Sequence, residues 1–155
     1  MTTASILEVT TSGGVATLWL NRPEVRNAFD ERLIAALADA MRTLASDEAV
    51  RVVAIAGRGT AFCAGADLNW MARMASFSPA ENCADAEKLA RMLQAVHEFP
   101  KPTIARVQGD CFAGGIGLVA ACDLAVAVTG ARFCFSEVRI GLIPATIAPH
   151  AIRAM

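Results

Sequence analysis

Twice in this chain, an apolar stretch that reads as a buried strand runs into a loop of glycines and alanines and then into a helix. The first passage leads from Arg51-Val52-Val53-Ala54-Ile55-Ala56 through Gly57, Gly59, Ala61, Ala64, Gly65 and Ala66 to a helix start near Asp67. The second leads from Thr103–Val107 through Gly109, Gly114, Gly115 and Gly117 into a helix that reaches Ala121. Strand, helix, strand in this order calls for crossovers onto a mixed or parallel sheet, so the fold class is α/β. Small side chains let a ligand approach the backbone closely. An N–H at a helix start is also an unsatisfied donor at the positive end of the helix dipole. Each loop therefore reads in one of two ways: as a backbone anion site, or as a tight turn of small residues where space is short.

The remaining elements follow from local signals. Ser5–Thr11 and Val15–Leu20 read as a hairpin across Ser12-Gly13-Gly14. After the polar loop Asn21–Ala28, Asp30 is a candidate N-cap, and Leu33, Ile34, Leu37, Ala40, Met41 and Leu44 share one helical face. Leu68–Met74 reads as a short helix. Ser78-Pro79-Ala80-Glu81 combines a capping Ser, a Pro suited to the first turn and a Glu placed to complete a capping box. That helix presents Leu89, Met92, Leu93 and Val96 and ends near Pro100. Asp123–Val128 reads as a further buried strand, Arg132–Phe135 as a locally paired segment, and Pro149 as the start of a last helix.

Length and composition bound the function. The 155 residues suit one domain, 55% of them hydrophobic, with a net charge of −1. That balance gives no electrostatic reason to expect nucleic acid or an anionic membrane as a partner. The apolar stretch Cys111–Val128 is interrupted by Gly114, Gly115, Gly117 and Asp123 and falls short of the about 18 apolar residues of a spanning helix. Met1–Val9 lacks a basic cluster followed by an apolar run, so the sequence predicts a cytoplasmic protein without a signal peptide. Cys63, Cys83, Cys111, Cys122 and Cys134 contain no C-x-x-C pair, and His97 and His150 are the only histidines, so no metal site is expected. Free, mostly buried thiols are the expected state of the cysteines.

Several chemistries are excluded by the motifs themselves. Gly109 and Gly114 have P-loop spacing, but Gly115 and Ile116 stand where Lys and Ser/Thr would hold phosphate and magnesium. Neither loop completes G-x-G-x-x-G, and no G-x-S-x-G elbow is present. Cys63 has no neighbouring base signature and reads as a packed or pocket-lining thiol. What remains is a pair of strand-to-helix turns with exposed backbone donors. If they converge, two N–H groups on one carbonyl oxygen form an oxyanion hole.

Ala61–Leu68 (AFCAGADL), Gly109–Asp123 (GDCFAGGIGLVAACD) and Phe135–Pro144 (FSEVRIGLIP), with Asn21-Arg22-Pro23 through Asn27-Ala28, resemble the crotonase, or enoyl-CoA hydratase/isomerase, superfamily. The resemblance implies a spiral of ββα units and an acyl-CoA thioester substrate whose enolate is held in an oxyanion hole. It places the two donors at the backbone N–H groups of Ala66 and Gly114. It places CoA against Val25 and the stretch Ala64, Ala66, Asp67 and Leu68. Coenzyme A enters as part of the substrate, with no permanent cofactor. Family hydratases commonly carry two glutamates; Glu137 matches one, and Gly117 stands where the other belongs. Glu137 is either an acid–base residue or a carboxylate at a helix start. Gly117 is expected to leave space for a bulky, branched or carboxylated acyl group. AGADLNWM, GGIGL and SEVRIGLIPA look most like the methylglutaconyl-CoA and carboxygeranoyl-CoA hydratase branch, where Arg139, His150 or Arg153 could meet a distal carboxylate.

Family members continue past this length with C-terminal helices that complete the acyl pocket and pack between subunits, as homotrimers or dimers of trimers. The expectation is therefore an incomplete domain over residues 1–155, truncated before that helical region. Three functions follow: an acyl-CoA lyase adding water across an α,β-unsaturated thioester, a double-bond isomerase, or a truncated, non-catalytic acyl-CoA-binding protein.

Overall fold

The computed structural model describes residues 5–155, so the first four residues of the Met1–Val9 stretch lie outside it. Strands β1 (Leu7–Ser12) and β2 (Val15–Leu20) form the expected antiparallel hairpin, in register from Leu7 opposite Leu20 to Ser12 opposite Val15. Gly13 and Gly14 both take positive φ, 58° and 82°, as a two-residue turn that matches strand twist requires. Helix α1 (Glu31–Ala45) then carries the chain to β3 (Val52–Gly57), parallel to β2. Asp30 caps α1 through a 2.8 Å bond from the Leu33 N–H, and Leu33, Ile34, Leu37, Met41 and Leu44 are buried on its inner face.

Two further strands extend the sheet in parallel: β5 (Thr103–Val107) beside β3, and β7 (Leu124–Ala127) beside β5, giving the order β1-β2-β3-β5-β7. A second sheet is built from the two stretches read above as glycine loops and from the segment Arg132–Phe135, read as locally paired. The strands β4 (Ala61–Cys63), β6 (Asp110–Phe112) and β8 (Phe133–Cys134) pair in parallel in the order β4-β6-β8. Each short strand follows a long one, β3 then β4, β5 then β6, β7 then β8, so the chain repeats a ββα unit. The helices are α2 (Leu68–Met74), α3 (Pro79–His97), α4 (Gly114–Ala121) and α5 (Ala148–Ala154). Ser78 and Glu81 close the full capping box at the start of α3.

The core lies between the larger sheet and α1, α3 and α4. Leu18, Leu37, Val53, Ile55, Met92, Leu93, Ala105 and Leu118 are fully enclosed there. Thr103 ties β5 to β7: its N–H and hydroxyl each donate at 2.8 Å to Asp123, whose own N–H returns a 2.9 Å bond to the Thr103 hydroxyl.

One element departs from expectation. β7 is exposed along its whole length, with Leu124 at 60% and Val126 at 64%, instead of buried. It is the sheet edge, paired among the described strands only with β5, and α4 reaches it without covering its apolar side chains. All five cysteines are free; Cys63, Cys111 and Cys122 are buried and Cys83 is exposed.

Candidate active site

The parallel strands β4 and β6 point their C-terminal ends at the same place, and a glycine loop leaves each of them. After β4, Ala66 forms an isolated parallel bridge with Phe29. The Phe29 N–H donates to the Gly65 carbonyl at 2.6 Å, and the Asp67 N–H donates to the Phe29 carbonyl at 2.8 Å. No peptide here is cis. In a trans peptide, C=O and N–H point in opposite directions, so engaging the Gly65 carbonyl aims the Ala66 N–H away from Phe29. The same logic holds after β6. The Ala113 carbonyl accepts from the Ile116 N–H at 2.9 Å, which turns the Gly114 N–H outward from the first turn of α4. Neither N–H donates to a protein acceptor among the described residues.

The two loops touch. Gly65 has φ 90°, and a Cβ there would stand 2.7 Å from the Ala113 Cβ and 3.2 Å from the Gly114 nitrogen. A Cβ on Gly114 would meet the Phe29 ring at 3.2 Å and the Gly65 Cα at 3.7 Å. Glycine is thus strongly favoured at 65 by its dihedral and the 2.7 Å approach, while a side chain at 114 would need the Phe29 ring to give way slightly. Ala113 itself holds φ 47°, ψ −121°, a sparsely populated conformation costing on the order of 1–3 kcal/mol.

Ala64, Ala66, Leu68 and Gly114 line one cavity of ≈ 380 Å³, together with Glu137, Arg139 and an apolar wall that includes Trp70, Met71, Leu89, Ile140 and Ile143. Glu137 opens the 3-10 turn Glu137–Ile140 that follows β8, so the third ββ unit delivers it to the mouth of the same loops. Its Oε2 is buried and has no hydrogen-bond partner. A second carboxylate on the wall, Asp85 of α3, escaped the sequence reading; it is occupied by Lys88 at 2.7 Å.

The other sequence candidates lie elsewhere. Asp67 and Val25 are not on the cavity wall. The Asp67 carboxylate caps α2 through the N–H groups of Asn69 and Trp70 and pairs with Arg22 at 2.8 Å. Val25 closes a 3-10 turn, Pro23–Val25, on the surface. The neighbouring Arg26 carbonyl accepts from the Ala64 N–H at 3.0 Å. Among the three basic residues considered for a distal carboxylate, Arg139 faces the cavity. His150 packs edge-on against His97 at 5.4 Å, and Arg153 donates to the Ala120 carbonyl at 3.1 Å.

Cys63 is fully buried, and desolvation pushes its thiol up to about 12 despite a hydrogen bond from the Gly65 N–H, so it stays protonated at neutral pH. Gly117 does not leave the expected space. A Cβ there would lie 2.3 Å from Cγ2 and 2.7 Å from Cβ of Ile147, the residue preceding α5. The volume beside the missing side chain is already filled. Among the described residues no group of three or more His, Cys, Asp or Glu is placed to hold a metal ion, and no helix is long and apolar enough to cross a membrane.

The family model described as enoyl-CoA hydratase/isomerase matches residues 10–154. The chain belongs to that family. An enoyl-CoA hydratase structure from Shewanella pealeana superimposes with a TM-score of 0.94 at 43% identity, over 97% of this chain and 57% of that one. Enoyl-CoA hydratase AKT6-1 of Alternaria alternata is 36% identical over 150 residues, 94% of this chain and 47% of its own length. Hydroxycinnamoyl-CoA hydratase-lyase of Pseudomonas fluorescens is 35% identical over 148 residues, 94% of this chain and 54% of its own. The chain thus spans about half the length of these curated enoyl-CoA hydratase/isomerase relatives. Within that span the crotonase fold, with its repeated ββα unit, is complete enough to bring all three loop regions together.

Proposed function

We propose that this chain carries the reaction centre of an acyl-CoA hydratase, which adds water across the double bond of an α,β-unsaturated thioester. The Ala66 and Gly114 N–H groups receive the thioester oxygen. As water attacks the β-carbon, Glu137 removes a proton from it, and negative charge moves onto that oxygen, where the two donors stabilise the enolate. Glu137 then returns the proton to the α-carbon, completing the hydroxyacyl product. The observation that carries this reading is the unpartnered Glu137 Oε2 in the cavity lined by both glycine loops. Asp85, the other carboxylate on the wall, is already held by Lys88.

The test is loss of the unsaturated-thioester absorbance with crotonyl-CoA, in the wild-type protein and in Glu137→Gln. Loss of about 10²–10⁴-fold in turnover supports the assignment; equal rates remove Glu137 from the mechanism. Isomerisation is the second reading, favoured by the single free carboxylate, and only hydration incorporates solvent ¹⁸O as a hydroxyl. Binding of a CoA thioester in calorimetry, with no turnover by any variant, would leave a non-catalytic binding protein.

A branched or carboxylated acyl group, as in the methylglutaconyl-CoA and carboxygeranoyl-CoA hydratase branch, rests on Arg139 at the cavity wall and not on room beside Gly117. Comparing kcat/KM for carboxylated and plain enoyl-CoAs in Arg139→Met tests it. For a full-length chain of this family, a homotrimer or dimer of trimers in the cytoplasm is the assembly we assign. The exposed apolar side chains of Leu124, Val126 and Phe133 suit a subunit contact, and light scattering measures it.

A further inference from the structure

Arg22 sits in a stretch that reads as a polar loop, yet it is 7% exposed. Its guanidinium makes three engagements. One nitrogen donates to the Ala28 carbonyl at 2.6 Å. The other lies 2.8 Å from Asp67 and 3.3 Å from Asp30. Those two carboxylates are the N-caps of α2 and α1. The Gly65–Ala66 peptide, which presents the Ala66 N–H, lies one residue before Asp67, and the strand partner that orients it, Phe29, lies between Ala28 and Asp30. Arg22 therefore grips both sides of the Phe29–Ala66 bridge: Ala28 and Asp30 on one chain segment, Asp67 on the other.

One other ion pair joins the two segments, Arg73 of α2 to Glu31 of α1 at 2.7 Å, but it is solvent-exposed and lies beyond the caps, whereas Arg22 is buried against them. Arg32 also pairs with Asp30, but from the solvent side and without reaching Asp67. The planar fork of arginine is what allows a carbonyl and two carboxylates to be held at once. A lysine supplies the charge as a single point and cannot reproduce that span.

We propose that Arg22 is a positioning residue for the oxyanion site: by clamping Asp30 and Asp67 across the Phe29–Ala66 bridge, it fixes the direction of the Ala66 N–H. This rests on the hydratase reading above. Arg22 does not line the cavity and touches no reacting atom. Its effect passes through the Gly65–Ala66 peptide, so it acts on polarisation of the thioester carbonyl more than on capture of the CoA portion.

The probe is butanoyl-CoA labelled with ¹³C at the thioester carbonyl, which has the carbonyl but no double bond to hydrate. Difference infrared spectroscopy of the bound thioester reads hydrogen bonding to its oxygen as a shift to lower frequency. In the wild-type protein the band is expected to shift. In Arg22→Lys it returns most of the way to the free position, kcat for crotonyl-CoA falls about 10- to 100-fold, as a misaligned donor implies, and KM changes less than threefold. Asp67→Asn keeps a good α2 cap while discharging the Arg22 partner, and gives the same spectral change, so the test survives if one variant fails to fold. A lowered unfolding midpoint with an unmoved band and unchanged kcat would make Arg22 purely structural and overturn the proposal. No band shift in the wild-type protein would instead overturn the oxyanion reading itself, and the proposal with it.

Discussion

Replacing Gly117 by alanine sets two effects of opposite sign against each other. Gly117 lies inside α4 without a positive φ, where alanine is favoured over glycine by about 1 kcal/mol. On helix propensity alone the variant gains stability. The added methyl, however, would stand 2.3 Å from Cγ2 and 2.7 Å from Cβ of Ile147, where carbon atoms settle at about 3.5–4.0 Å. Separation has to grow by roughly 1 Å. Ile147 is 2% exposed and its Cβ is fixed to the backbone, so the retreat shifts the start of α5 and not merely a side-chain tip. Overpacking of this kind costs about 1–3 kcal/mol, toward the upper end here. Net of propensity, Gly117→Ala is expected to destabilise by about 1–2 kcal/mol. With a urea slope of about 2 kcal/mol/M, that lowers the unfolding midpoint by about 0.5–1 M. In an Ile147→Ala background the 2.3 Å contact disappears and the 2.7 Å contact remains, so the cost shrinks without vanishing, with a coupling of about 1 kcal/mol. A Gly117→Ala midpoint equal to or above wild type, or no coupling to Ile147, would refute the reasoning. The same geometry means that Gly117→Glu cannot restore a second carboxylate at the cavity without displacing Ile147, itself part of the wall.

Gly65→Ala combines a φ of 90° with a 2.7 Å contact to Ala113. It is expected to lose about 2–4 kcal/mol in urea unfolding and to lower kcat by spreading the two donor loops. Ser78→Ala removes one side of the α3 capping box and should cost about 1 kcal/mol, read by thermal melting, with activity unchanged. Burial, then the charges of His97 and Arg153, depress the His150 pKa. The unfolded chain thus binds the proton more readily, and stability is lost as pH falls below about 6.5. His150→Gln should flatten that part of a melting-temperature profile. A second, more acidic loss is expected from Asp67. There burial raises the pKa, but bonds from Arg22 and from the Asn69 and Trp70 N–H groups outweigh it and hold the carboxyl low. Its stabilisation is present above about pH 4 and fades as pH falls through the depressed value; Asp67→Asn should remove that component.

What could be read from the sequence divides along the range of the interactions involved. The caps at Asp30 and Ser78 and the apolar faces of α1 and α3 are decided within a few residues, and the structure reproduces them. The sheet β4-β6-β8 was not legible. Strands of two or three residues show no alternation, and their partners lie far along the chain, as Cys63 opposite Cys111 and Phe112 opposite Cys134. The apolar run at Leu124–Val128 reads as buried because composition reports what a segment prefers to bury, not whether a neighbour covers it. Gly117 reads as space for the same reason: the sequence gives the absent side chain but not Ile147, thirty residues later, packed against it. Arg22 is the converse case, a charge that looks solvated until Asp67 arrives from forty-five residues away.

The candidate site joins both kinds of information. The glycine loops mark where N–H groups can be exposed, and those marks are local. Which N–H groups are free is decided by what holds the carbonyl on the other side of the same peptide. At Gly65–Ala66 that partner is the Phe29 N–H, supplied by a segment before α1; at Ala113–Gly114 it is the Ile116 N–H, supplied by α4 itself. One donor is thus set by secondary structure and survives wherever α4 forms. The other depends on a tertiary bridge and on whatever braces it, so disruption of the proposed oxyanion site should begin at Ala66 and not at Gly114.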